Sequence, residues 1–183
     1  MTQTRWLDDD EQRAWRALAG VVLRLPTALD AQLARDSGLT HFSYYVLAML
    51  SEAPERTLAM STLARNANSS QSRLSHAVSR LERSGWVARR PCPGNGRVTL
   101  ATLTDEGFEK VREAAPGHAA EVVRLVVDDL DAEQVRVLGE ACERVLARLD
   151  GDCPAEQGPP DGTMAPCTPP TTTSSSSAAA TTA

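Results

Sequence analysis

The chain has 183 residues, of which 42% are hydrophobic and 4% aromatic, and its formal net charge is −5. This length predicts one domain, or one domain with a tail, and no apolar run approaches the roughly 18 residues of a membrane span. The N-terminus lacks an apolar signal-peptide stretch, and the cysteines and histidines show no zinc-site spacing. We therefore expect a cytoplasmic protein without a metal or other cofactor.

The charge is unevenly distributed along the chain. Residues 56–97 contain eight arginines and one acidic residue, Glu82, which gives +7, whereas the remaining 11 basic and 23 acidic residues give −12. A basic segment on an acidic protein is what a localised polyanion site requires. A solvated charged surface is the alternative, but such a surface usually mixes both signs.

Two helices are predicted before the helix pair of the basic segment. The first spans residues 8–35, with Pro26 expected to kink it and Gly38 as a stop signal. The second spans His41–Ala53 and offers several apolar residues to the core. The first helix has an apolar stripe at three- and four-residue steps, formed by Trp15, Leu18, Val22, Leu25, Leu29 and Leu33.

Two helices with the spacing of a helix-turn-helix are predicted next. The first is short and spans Ser61–Asn66, and the second is longer and spans Ser69–Gly85. That motif needs a small residue in the first helix, a turn former four residues later and an apolar residue six further on. Ala64, Asn68 and Leu74 occupy these positions, and asparagine tolerates the left-handed turn conformation. An ordinary helical hairpin is the alternative that the spacing alone leaves open.

The longer helix has two chemically different faces. Leu74, Val78 and Leu81 share one side, whereas the opposite side and its flanks carry small polar residues, one histidine and arginines. Small side chains allow close approach to base edges, and arginine reads guanine bidentately. His76 alone is equally consistent with a solvated surface histidine. The candidate DNA contacts on this helix are Gln71, Ser72, Arg73, Ser75, His76, Ser79, Arg80 and Arg83.

A β-hairpin is predicted next, from two short runs at Trp86–Arg90 and Arg97–Leu103. The turn-rich segment 91–96 joins them and is expected to project from the body, with Cys92 exposed as an isolated thiol. Arg97 near the tip is a candidate for the minor groove, and Arg89 and Arg90 at the base are candidates for phosphate contacts.

The C-terminal part is predicted to be helical and then disordered. Thr104 begins a helix that extends to about Asp129 with an interruption near Pro116 and Gly117, and Asp131–Leu149 forms the last helix. Residues 151–183 are rich in proline, threonine, serine and alanine, so we expect a disordered tail and assign it no function.

The sequence resembles the MarR family of winged helix-turn-helix regulators in three runs taken together, which are Leu81–Arg90, Asn95–Arg97 and Leu103–Gly107. So does the order of elements from about residue 6 to 149. The resemblance implies a mainly α fold with a small β-hairpin wing, on a helical dimerisation platform, over residues 1–150. It places the DNA-binding lobe at about 54–104 and the dimerisation helices at about 8–35 and 105–149.

The resemblance also implies partners. They are a second copy of the chain, a pseudo-palindromic operator in double-stranded DNA, and a small effector, often an aromatic acid or phenol, between platform and winged lobe. Trp15, His41 and Tyr44 are candidates for that pocket, although core or dimer positions are the favoured interpretation. The wing departs from the family pattern, because Asn95 stands where an aspartate usually holds the wing and its arginine.

We therefore expect a DNA-binding transcriptional regulator, most simply a homodimeric repressor relieved by an effector. The alternative is a winged-helix protein-interaction module without DNA binding, which Asn95 and the acidic remainder of the chain favour. The sequence contains no nucleophile–base pair, phosphate loop or metal cluster that indicates an enzyme.

Overall fold

The computed structural model describes residues 4–152, with side chains through residue 149. The helices and strands follow one another in the order expected for a winged helix. They are α1 (Asp9–Ser37), α2 (His41–Glu52), β1 (Thr57–Ala59), α3 (Met60–Asn66), α4 (Gln71–Arg83), β2 (Val87–Cys92), β3 (Asn95–Leu103), α5 (Asp105–Val122) and α6 (Ala132–Asp152).

The ends of α1 follow from local side-chain chemistry. Asp8 accepts a hydrogen bond from the backbone N–H of Glu11, whose carboxylate in turn accepts from the N–H of Asp8. This reciprocal cap satisfies two backbone donors that a helix start otherwise leaves unpaired. Gly38 ends the helix in the left-handed conformation, with φ of 67°. The helix continues through Pro26.

One hydrophobic core lies beneath α4 and joins the helices to the sheet. Leu33 of α1, Leu47 of α2, Leu74 of α4 and Ala101 of β3 are each completely buried within it. α5 packs against α1 and α2 on the other side. Burying these side chains stabilises the fold by about 1.5–3 kcal/mol per leucine, so the core fixes where α4 presents its outer face.

The sheet has three antiparallel strands in the order β1-β3-β2. β1 was not predicted as a strand, and it pairs with β3 through Thr57 opposite Thr102, whose hydroxyl groups are 2.9 Å apart. A three-residue strand carries too little alternation to reveal itself. β2 and β3 extend further than predicted, so the tip is a tight turn at residues 93–94, with Gly94 at φ of 92°.

Cys92 differs from its prediction. It was expected to be an exposed, isolated thiol, but its side chain is only 3% exposed and it is disulfide-bonded. Cys92 belongs to β2 and pairs with Asn95 across the sheet, so it does not lie in the predicted open loop.

The prediction for Pro116 is wrong, because α5 is continuous from Asp105 to Val122. Proline lacks an N–H and so leaves the carbonyl group of Arg112 without its helical donor. Both Arg112 and Pro116 are exposed, so water can satisfy that carbonyl group. The irregularity lies instead in a short π-helix, Val123–Val127, between α5 and α6.

Apolar side chains are exposed along both terminal helices. On α1, Trp15 is 57% and Val22 61% exposed, whereas Leu33 near the end of the same stripe is buried. On α6, Leu146 and Leu149 are 51% and 59% exposed. The predicted stripe on α1 therefore faces the core of this chain only at its C-terminal end.

By length and composition alone, α1 also qualifies as a helix able to cross a membrane, which the sequence analysis did not predict. One 18-residue window has a mean hydropathy of 1.2, and 17% of it is buried. A helix packed inside a soluble protein passes the same test.

The predicted tail begins two residues too early, because α6 extends through Asp152. Differences of one or two residues are common at fraying helix ends. The rest of the predicted tail, residues 153–183, lies outside the described residues.

Candidate nucleic-acid interface

The turn between α3 and α4 has the geometry of a helix-turn-helix. Ala64 is 3% exposed and Leu74 is fully buried, so the two helices pack closely at the predicted positions. Asn68 adopts the left-handed conformation, with φ of 45°. The N–H of Ser69 donates to the carbonyl group of Ala64 at 3.0 Å, which closes the turn. The predicted roles of all three motif residues in this turn are confirmed.

α4 presents a polar outer face. The Ser70 hydroxyl caps the helix by accepting from the N–H of Arg73 at 3.2 Å. Leu74, Ala77, Val78 and Leu81 are buried beneath it. Among the predicted contacts on α4, six are exposed and two, Ser75 and Ser79, are half-buried. The exposed six are Gln71, Ser72, Arg73, His76, Arg80 and Arg83.

Arg73 is held in place while remaining exposed. Its guanidinium carbon lies 4.5 Å from the centre of the Phe42 ring on α2. Cation–π contacts of this kind contribute about 0.5–1 kcal/mol at exposed sites. The contact links the first turn of α4 to the first turn of α2.

The wing carries its exposed arginines on either side of the tip. Arg90 on β2 and Arg97 on β3 are both exposed. The Asn95 side-chain oxygen accepts from the N–H of Arg97 at 3.3 Å. Asparagine therefore retains the acceptor that an aspartate would supply at this position, and only the charge is lost.

Two arginines of the basic segment are neutralised by carboxylates. Arg56 pairs with Asp105 at 3.0 Å and lies over the Phe108 ring. Arg89, a predicted phosphate contact, pairs with Glu82 at 2.6 Å. Within the described part of the chain, no carboxylate lies within ion-pair distance of the other six arginines of the segment. These are Arg65, Arg73, Arg80, Arg83, Arg90 and Arg97.

The root of the wing is fixed by a close backbone approach that the sequence analysis missed. Thr104 donates its hydroxyl to the carbonyl group of Gly85 at 2.7 Å and its N–H to that of Trp86 at 3.1 Å. A Cβ at Gly107 would lie 2.1 Å from the Trp86 carbonyl oxygen, so this position requires glycine. Gly107 was noticed only as part of a motif, since its neighbour is 21 positions away.

A ring cluster joins the helical platform to α2. The centre of the His118 ring in α5 lies 4.5 Å from the centre of the Tyr44 ring and 5.7 Å from that of the His41 ring, both in α2. Burial lowers the pKa of His41, and the nearby negative charge of Asp30 partly opposes this shift. Burial also lowers the pKa of His118, and the positive charge of His41 lowers it further. Burial likewise raises the pKa of Tyr44. Trp15, the third pocket candidate, lies exposed on the N-terminal half of α1.

The described residues include no group of three histidine, cysteine, aspartate or glutamate side chains able to hold a metal ion.

Comparison with known proteins identifies the family. A family profile described as the MarR family matches residues 37–98. The crystal structure of Sco3205, a MarR family transcriptional regulator from Streptomyces coelicolor in complex with DNA, is 46% identical to this chain, with a TM-score of 0.76. The similarity covers 79% of this chain and 94% of that one. The chain belongs to the MarR family.

Other MarR-type regulators give the same result. AbsC from Streptomyces coelicolor is 38% identical, with a TM-score of 0.76, and the match covers 81% of this chain and 99% of AbsC. The transcriptional repressor YetL of Bacillus subtilis is 27% identical over 116 residues, which is 62% of this chain and 70% of YetL. The predicted winged-helix fold and the predicted function as a MarR family transcriptional regulator are confirmed.

Proposed function

We propose that this protein is a homodimeric repressor that binds a pseudo-palindromic operator in double-stranded DNA. The observation that carries the proposal is an outer face of α4 rich in arginine, whose one acidic residue, Glu82, is paired with Arg89, beside a wing that presents Arg90 and Arg97, on an otherwise acidic protein. Sco3205, its 46% identical relative, was crystallised with DNA, and YetL is described as a repressor. We place the protein in the cytoplasm and assign it no enzymatic activity.

Each part of the interface has a distinct task in this proposal. Arg80, His76 and the serines of α4 read base edges in the major groove, where side-chain donors and acceptors distinguish all base pairs. Arg90 contacts phosphates, and Arg97 enters the minor groove. Arg89 stays a proposed phosphate contact, with its Nε and Nη2 atoms already donating to Glu82.

A second copy supplies the symmetry. Both α1 and α6 expose apolar side chains to water, which is unfavourable, and in this proposal a second copy of the chain covers them. Two α4 helices in successive major grooves then lie roughly 34 Å apart, one helical turn of DNA. A small aromatic effector that relieves repression remains a prediction, with His41 and Tyr44 as its candidate contacts.

DNA binding is tested by gel shift against fragments that flank the protein's own gene. We expect specific retardation of the DNA. The binding constant K should fall steeply with salt, because each phosphate that the protein neutralises contributes about −0.9 to the slope of log K against log salt concentration. The double variant His76→Ala/Arg80→Ala should lose specific binding by at least about tenfold, since each base contact contributes about 1–3 kcal/mol. Arg112→Ala, an exposed arginine on α5, is the control for charge removal and should bind normally.

Two results would contradict the proposal. Absence of retardation at low salt for every upstream fragment would exclude an operator near the gene. Unchanged activity of the His76→Ala/Arg80→Ala variant in a reporter assay would instead favour a protein-interaction module that has kept the winged fold.

A further inference from the structure

Glu82 is out of place electrostatically. It is the only acidic residue among residues 56–97, and it lies on α4, the helix proposed to face the DNA. A carboxylate near the phosphates of DNA weakens binding by repulsion. We therefore looked for a favourable contact of Glu82 that offsets this repulsion.

The Glu82 carboxylate accepts three hydrogen bonds from one residue of the wing. Its Oε1 accepts from the Arg89 backbone N–H at 3.3 Å, and its Oε2 accepts from Arg89 Nε at 2.9 Å and from Nη2 at 2.6 Å. The hydrogen bonds from Arg89 lower the pKa of the Glu82 carboxyl group against the opposing effect of burial, so it stays ionised at neutral pH. One side chain thus holds both the backbone and the guanidinium of β2.

Several contacts fix the base of the wing. At its root, Thr104 binds the carbonyl groups of Gly85 and Trp86. β3 pairs with β1 on one side and with β2 on the other, which leaves β2 at the edge of the sheet. Glu82 and Arg89 join this edge strand to α4, so their contact acts on the angle between the wing and that helix.

The angle matters because Arg97 lies far from the base. Arg89 pairs with Ala101 across the sheet, so Arg97 lies four residues nearer the tip, about 13 Å away at roughly 3.3 Å per residue. A rotation of about 10° at the base therefore displaces Arg97 by about 2 Å. Binding groups need to be held within about 0.5 Å of their productive geometry.

We propose that Glu82 is a positioning residue for DNA binding: by clamping Arg89 it sets the angle of the wing so that Arg97 meets the minor groove. This inference rests on the proposed function. It makes a prediction opposite in sign to simple electrostatics, because removing an acid beside DNA, and releasing an arginine, would otherwise strengthen binding.

The test measures the affinity of the full chain for its operator by fluorescence anisotropy at fixed salt. We expect Glu82→Ala to weaken binding about fivefold to tenfold, close to the loss for Arg97→Ala, since a single groove contact contributes about one order of magnitude. Glu109→Ala removes an exposed acid of α5 and serves as the matched control, with unchanged affinity. Thermal unfolding of each variant checks that the fold is retained.

Two further variants separate positioning from a merely structural role. In an Arg97→Ala background, Glu82→Ala should change the affinity less than twofold, because there is no longer a tip contact to misplace. The exchanged pair Glu82→Arg/Arg89→Glu rebuilds the ion pair at the same net charge and should recover at least half of the lost affinity.

The outcomes are distinguishable. Tighter binding by Glu82→Ala, or the same loss with and without Arg97, would overturn the positioning role while leaving DNA binding intact. Failure of the unmodified protein to bind any upstream fragment would overturn the proposed function itself, and the role of Glu82 with it.

Discussion

Asn68 adopts the left-handed backbone conformation that the turn of the helix-turn-helix requires. Its φ of 45° is a region that side chains with a Cβ rarely adopt, and asparagine is among the few that tolerate it. Its N–H donates to the carbonyl group of Arg65 at 3.1 Å, so the turn is tied to the end of α3. Asn68 therefore shapes the turn that leads into α4, while the buried residues of α4 anchor the helix on the core.

We expect Asn68→Ala to reduce the free energy of unfolding by about 1 kcal/mol, because alanine pays the left-handed penalty without a compensating polar side chain. Asn68→Gly should be close to neutral. Urea unfolding followed by circular dichroism measures both. Asn66→Ala, an exposed asparagine in α3 with ordinary helical geometry, is the control, and an equal loss there would contradict the explanation.

Residue identity alone revealed the chemistry of the site but not its pairings. The buried face of α4 and the turn at Asn68 follow from local spacing, so they could be predicted. Arg56 and Arg89 were counted as free positive charge, and both are engaged by carboxylates. The partner of Arg56 is 49 residues away, and such a separation leaves no local pattern to read.

At the scale of elements, the junction of α1, α2 and α5 connects the helical platform to the DNA-binding lobe. The backbone N–H of His41 in α2 donates to the Asp30 carboxylate of α1 at 2.8 Å, and the His118 ring of α5 packs on Tyr44. The Nδ1 atom of His118 is buried without a hydrogen-bond partner among the described residues. The junction is therefore well suited to neutral imidazole rings and poorly suited to charged ones.

This predicts a pH-dependent stability. Burial lowers both histidine pKa values below the ordinary 6.5, so the folded protein binds fewer protons than the unfolded chain just below that pH. Stability is therefore full above about pH 6.5 and falls as the pH is lowered. Urea unfolding at pH 5.5 and 7.5 measures the difference.

His118→Gln should flatten this dependence, whereas His76→Gln should leave it unchanged, because His76 is exposed on α4. An identical slope in the unmodified protein and in His118→Gln would contradict the assignment to this junction.

Elements that repeat a pattern over several turns were predicted within a few residues, as for α1 and α4. The three-residue strand β1 was missed, and the break at Pro116 was predicted wrongly. Both depend on surroundings: β1 exists because β3 is beside it, and α5 continues because its unpaired carbonyl group faces water.

For the whole molecule, the exposed apolar faces of α1 and α6 predict an obligate association. We expect Leu146→Glu to produce monomers and to lose operator binding, because a carboxylate buried without a partner costs several kcal/mol. Sedimentation velocity measures the assembly. Tyr45→Glu changes an exposed aromatic residue of α2, outside both terminal helices, and should leave the dimer intact. Monomers in the unmodified protein at micromolar concentration would contradict the proposed platform.

The separation of charge has a consequence for how the molecule finds DNA. The six arginines of residues 56–97 without a carboxylate partner lie on α3, α4 and the wing, while α1, α5 and α6 carry most of the described acids, so the described part of the protein is an electric dipole. In the electric field of a DNA duplex, a protein with such a dipole experiences a torque that turns these arginines toward the DNA and the rest of its surface away from it. We expect unproductive collisions to be repelled before contact. On the proposed function, the negative net charge would limit indiscriminate coating of the chromosome and confine binding to the face that carries α4 and the wing.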